Sequence, residues 1–156
     1  MMVVSYVLSE DPVVLREQRR MNLAKADLVD LCYSCCGGDL TLRVDGVDFS
    51  IVTGGGVQIL DFAVEFFTVG RSVATGESGR IEFAGMADEI YVTPTGESVE
   101  ISSNYAEGVA RVTRQEFVRA GRTFLAKVLT DLVARYPELR RNRGIRKAGA
   151  WVGLAV

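Results

Sequence analysis

The chain is 156 residues long, 48% hydrophobic and 24% charged, which suits one globular domain with a real core and excludes a disordered or fibrous chain. The formal net charge is −2 and there is no histidine at all. The molecule as a whole therefore has no strong electrostatic pull toward nucleic acid or an anionic membrane, and Ser-His-Asp and Cys-His hydrolysis are excluded.

Taken in chain order, Met1–Leu8 is apolar, but no lysine or arginine precedes it and Glu10 and Asp11 follow, so it does not read as a signal peptide. Asp11-Pro12 has the chemistry of a helix start, with a capping carboxylate and a proline in the first turn. Ala24–Cys36 is compatible with a continuing helix or with a strand paired to Leu40–Val44; a short helix followed by a strand is the preferred reading. Leu40, Leu42 and Val44 alternate with Thr41 and Arg43, and Asp45-Gly46 supplies a hairpin turn before a second strand over Val47–Val52.

A helix is expected from Val57 to about Ala74. Its apolar arc is so wide that only Asp61, Glu65, Thr68 and Ser72 form a polar strip, which predicts burial on more than one side. Arg80–Phe83 and Glu89–Thr93 read as strands, with Pro94-Thr95-Gly96 turning the second into Ser98–Ser102 and a further edge strand within Tyr105–Val112. The clearest element is a helix over Arg114–Tyr136. Thr113 and Glu116 are spaced as a capping box, Val112 and Phe117 as a hydrophobic staple, and Pro137 ends it.

Basic residues then gather. Arg135–Lys147 holds six of them against the single acid Glu138, a net +5 that leaves −7 on the rest of the chain. Residues 1–139 are thus read as a single α+β domain and 140–156 as a basic, then apolar, C-terminal extension. The apolar end, Ala148–Val156, is far shorter than the ~20 residues a membrane-spanning helix needs. The expected fold class is α+β: a mainly antiparallel sheet of four to six strands (hairpin, helix, meander, helix) packed by two amphipathic helices on one face.

Four features carry chemistry. Cys32, Cys35 and Cys36 include a C-x-x-C spacing that serves thiol exchange or half a zinc site. Three cysteines within five positions are no disulfide framework, neither a second pair nor a histidine completes a metal set, and a buried cysteine is simply a small hydrophobe. The default compartment is a reducing cytoplasm. Thr53-Gly54-Gly55-Gly56 before a helix offers consecutive amides to an anion, although no Gly-Lys-Ser/Thr follows; a flexible connection explains the glycines equally well.

The turn and strand carboxylates Asp45, Asp48, Glu97 and Glu100 form the candidate face for a basic partner, and solvated charge is their plain alternative. Arg140, Arg141, Arg143, Arg146 and Lys147 are placed for phosphate contact with nucleic acid, with only Tyr136 and Trp151 nearby to stack on bases.

The run Gly38-Asp39-Leu40-Thr41-Leu42-Arg43-Val44-Asp45-Gly46, a helix through Leu60-Asp61-Phe62-Ala63, a meander, and a helix ending Arg135-Tyr136-Pro137-Glu138-Leu139 resemble small uncharacterised proteins of high-GC bacteria. Some of those are similar to immunity proteins of polymorphic toxin systems. The resemblance spans about Asp39 to Leu139 and lies in element order and apolar spacing. It implies a non-catalytic protein that binds one partner protein, with no cofactor. The sequence therefore leads to a protein-binding module, with a thiol or metal site at the cysteines and nucleic-acid binding by the tail as alternatives.

Overall fold

A computed structural model describes all 156 residues. The elements are β1 (Met2–Leu8), α1 (Pro12–Arg19), α2 (Leu28–Ser34), β2 (Gly37–Val44), β3 (Val47–Asp48), β4 (Val57–Gln58), α3 (Ile59–Ala74), β5 (Gly79–Glu82), β6 (Glu89–Thr95), β7 (Ser98–Ser103), β8 (Ala110–Thr113), α4 (Arg114–Arg135), a 3-10 turn (Pro137–Arg141) and α5 (Arg143–Trp151). The α+β class is as expected. The expected single sheet is instead two antiparallel sheets of four strands: β2 with β1 on one flank and β3 and β4 on the other, and the meander β5-β6-β7-β8.

The first sheet grows from the Asp45-Gly46 turn. Both residues have positive φ, 46° and 83°, the geometry whose twist matches a two-residue hairpin. The regular ladder after the turn covers only Val47–Asp48, and Leu40↔Ile51 adds one bridge further on. The principal omission of the sequence reading is β1, which pairs with β2 over seven positions from Met2↔Val44 to Leu8↔Gly38. Residues 24–36 hold the helix α2 and no strand.

In the meander, Pro94 lies inside β6, opposite Val99, and the turn is Gly96-Glu97. The proline is tolerated because β5 ends opposite Val92, so no ladder exists on that flank for a missing amide to break. The last strand is shorter than expected, Ala110–Thr113.

Helix α3 is central, with Ile59, Leu60, Phe62, Ala63, Phe66, Phe67, Val69 and Val73 all buried, as its wide apolar arc predicts. Helix α4 crosses it closely. A Cβ on Gly121 would stand 3.1 Å from the carbonyl oxygen of Phe66, so a larger residue there would force the helices apart. The Thr113 hydroxyl accepts from the Glu116 amide at 3.0 Å, a cap worth about 1 kcal/mol. The second half of the capping box is absent: the Glu116 carboxylate takes the Met2 amide of β1 instead.

Phe62 lies within 5.6 Å, centroid to centroid, of Phe66, Phe83 and Phe124. That aromatic group joins α3, α4 and the second sheet into one core.

Residues 140–156, set apart above as an extension, are folded onto the rest. Leu139, Ile145, Ala148 and Val152 belong to the same core cluster. Trp151 stacks on Phe67 at 6.0 Å, with an interplanar angle of 3°. Asn142 is fully buried: its amide donates to the carbonyls of Leu23 (2.7 Å) and Ala26 (2.8 Å), and its oxygen caps α5 at Ile145 N. No helix is long and apolar enough to cross a membrane.

Candidate functional site

The polar strip of α3 places Asp61 and Glu65 one helical turn apart, facing the connection between β5 and β6. With Glu82, Glu89 and residues 83–86 they line a cleft of about 300 Å³, and Tyr33 of α2 stands at its rim. Burial is the largest influence on both helix carboxylates and raises both pKa values. At Asp61 a hydrogen bond from the Ala84 amide partly offsets it. At Glu65 repulsion from Asp61 and Glu82 adds to it, and the Glu82 amide partly offsets it. Compensation inside the cleft is sparse: Arg80 pairs with Glu82 at 2.8 Å and the Tyr91 hydroxyl donates to Glu89 at 2.9 Å.

Of the four carboxylates only Glu82 has a guanidinium partner, and the cleft lies beside a tyrosine that is 60% exposed. Such a cleft favours an arriving ammonium or guanidinium, which would relieve repulsion and find an aromatic face nearby. From the sequence, Asp61 and Glu65 read only as part of the polar strip of α3. Nothing local shows that α3 and the β5–β6 connection meet.

The four acids singled out from the sequence come from both sheets. Asp45 and Asp48 belong to the β2–β3 hairpin, Glu97 and Glu100 to β6–β7 of the other sheet. Two of them are already compensated. Hydrogen bonds from Ser50 hold the Asp48 carboxyl below its usual range, helped by Arg43, and Glu100 is ion-paired with Arg111.

The cysteines behave as core residues: Cys32, Cys35 and Cys36 are all buried. Burial pushes the Cys32 thiol up to about 12, and the neighbouring Asp61 and Glu65 push the same way, so it is not a thiolate near neutral pH. Cys35 and Cys36 are joined to each other as a disulfide, which cross-links no distant parts of the chain. No group of three or more cysteine, aspartate or glutamate side chains is arranged to hold a metal ion.

The glycine loop does cradle an anion, and the anion is the protein's own. The Asp39 carboxylate accepts from the amides of Thr53 (3.1 Å), Gly54 (3.0 Å) and Gly55 (2.9 Å). The sequence separation of these partners, 14 to 16 residues, hid this from a local reading.

Of the tail cations, Arg140, Arg141, Arg143, Arg146 and Lys147 are all exposed, and none forms a salt bridge. Arg146 instead donates to the Arg140 carbonyl. The two candidate stacking groups are engaged internally, Trp151 on Phe67 and Tyr136 beneath Arg135.

No protein-family model matches the chain, and no curated protein and no solved structure shows a match to it.

Proposed function

We propose that the protein is a non-enzymatic protein-binding module, an immunity-type inhibitor acting in the cytoplasm, whose acidic cleft receives basic side chains of a partner protein. The carrying observation is the gathering of Asp61, Glu65, Glu82 and Glu89 in one cleft where only Glu82 is ion-paired, with both α3 carboxyls raised by burial. A fold that keeps uncompensated, partly buried charge loses stability by doing so, and a partner that supplies the counter-charge restores it on binding. The lack of histidine and the buried, protonated Cys32 favour docking over turnover.

The test is co-purification. A basic partner should be retained at one-to-one stoichiometry by the native protein and lost from the Asp61→Asn/Glu65→Gln variant. Measured turnover of a small substrate would contradict the proposal.

A second reading rests on the five exposed tail cations without acid partners. Binding of nucleic acid by α5 would fall steeply with salt and disappear on changing Arg143, Arg146 and Lys147 to glutamine; binding unaffected by that change would end the reading.

A further inference from the structure

The sheets have five outer strands, and four carry protection against pairing with another chain. Strand β5 is four residues long with Arg80 and Glu82, β8 is four residues long with Arg111, and β3 and β4 are only two residues long. Short length and charge are the usual defences of an edge. Strand β1 has neither: Met2-Val3-Val4-Ser5-Tyr6-Val7-Leu8 runs for seven residues without a charge, a proline or a glycine, and Val3 and Val7 are 42% and 70% exposed.

The ladder fixes which of its backbone groups are free. Asp45 N donates to Met1 O and Ser9 N to Gly37 O, so the odd-numbered residues of β1 exchange hydrogen bonds with β2. The even-numbered residues turn their amides and carbonyls the other way. Met2 N, the first of these, is taken by Glu116; Val4 and Tyr6 have no backbone partner on that side. Alongside them runs a groove of about 390 Å³ between β1 and α4, lined by Met2, Val4, Ala120 and Phe124, with Arg119 and Lys127 on its helical wall.

We infer that the free edge of β1 accepts an extended strand from a partner protein, laid in the groove against α4 and carrying a carboxylate that faces Arg119. Hydrogen bonds to Val4 and Tyr6 would supply sequence-independent affinity, and alternate side chains would enter the apolar floor. The charge argument is specific. Glu116 also lines the groove and accepts from Met2 N, and Lys127 is paired with Asp131, so the unmatched positive charge is that of Arg119, which has no acid partner in the molecule.

A second copy is disfavoured. Helix α4 packs against β1 itself, with Phe124 edge-on to Tyr6 at 5.7 Å, so pairing two β1 edges antiparallel puts two α4 helices, each carrying an Arg119, on the same face of the joined sheet. A bare strand carrying a carboxylate brings neither the second helix nor the like charge. The inference does not depend on the acidic cleft, whose residues lie on α3 and the second sheet.

The experiment uses the full chain and two synthetic peptides, one alternating valine with glutamate and one alternating valine with lysine, followed by fluorescence anisotropy and amide hydrogen exchange. The valine–glutamate peptide should bind and slow exchange at Val4 and Tyr6, while the valine–lysine peptide should bind at least about tenfold more weakly. Arg119→Glu, on an exposed helical position, should reverse that preference. Val4→Pro removes an amide that has no native partner and should abolish binding. If that variant does not fold, the exchange data and Arg119→Glu decide the matter. No binding at millimolar peptide, binding that leaves Val4 and Tyr6 unprotected, binding indifferent to Arg119→Glu, or a dimer protected at Val4 and Tyr6 without peptide would each overturn the inference.

Discussion

The glycine loop and the acidic cleft both bring carboxylates to backbone amides, and they settle their charge in opposite ways. Asp39 gathers three amides from Thr53, Gly54 and Gly55. Asp61 and Glu65 receive one amide each and face further carboxylates. The first arrangement is complete and holds the fold together. The second lacks counter-charge and is available to something else. Whether a charge is satisfied says more about function here than how many charges a segment carries.

The most fully satisfied polar side chain gives the largest test of that contrast. Asn142 makes two carbonyl contacts and caps α5, all by a buried amide. Asn142→Ala leaves the Leu23 and Ala26 carbonyls without donors, and urea unfolding should show a loss of roughly 3 kcal/mol.

Asp39→Ala should cost less, about 2 kcal/mol, because water reaches part of the loop. It should also create an open amide cradle, so inorganic phosphate should recover part of the lost stability for this variant and not for the native protein. No phosphate effect would mean that the loop collapses without its carboxylate.

The smallest effect has the opposite sign. Raised carboxyl pKa values mean that the charged forms disfavour the fold. The associated stability is fully present below the ordinary values of 3.8 and 4.5 and is lost as pH rises through the higher folded values. Asp61→Asn/Glu65→Gln should therefore be more stable than native protein at pH 7 by about 0.5 kcal/mol after solvent screening. The gain should vanish as pH falls below 3.8. A loss at pH 7 would mean that the cleft is structurally satisfied like the glycine loop.

What could be read in the sequence follows the same division between local and distant causes. Helix α4 was legible because its period, its Thr113 cap and Pro137 all lie within one stretch of chain, and the β2–β3 turn because Asp-Gly is sufficient in itself. Strand β1 escaped because its outward residues Val3 and Val7 are as apolar as its inward ones, so no alternation marks it. Helix α5 escaped because Ile145 is the one large residue on its buried side, beside Ala148 and Gly149; Gly144 fits against Leu28, where a Cβ would come within 2.8 Å, and the arginines around it read as a solvated tail. The cleft could not be read at all, since it exists only where α3 meets the β5–β6 connection.

The central claim is that the cleft, and not acidity in general, recognises a basic partner. The direct measurement is the affinity of an arginine- and lysine-rich peptide for the native protein, for Asp61→Asn/Glu65→Gln and for Asp45→Asn/Asp48→Asn, by calorimetry at fixed salt. The two double variants remove the same charge from different places. The account predicts a loss of about tenfold or more for the cleft variant and little change for the hairpin variant. Equal losses for both would contradict it.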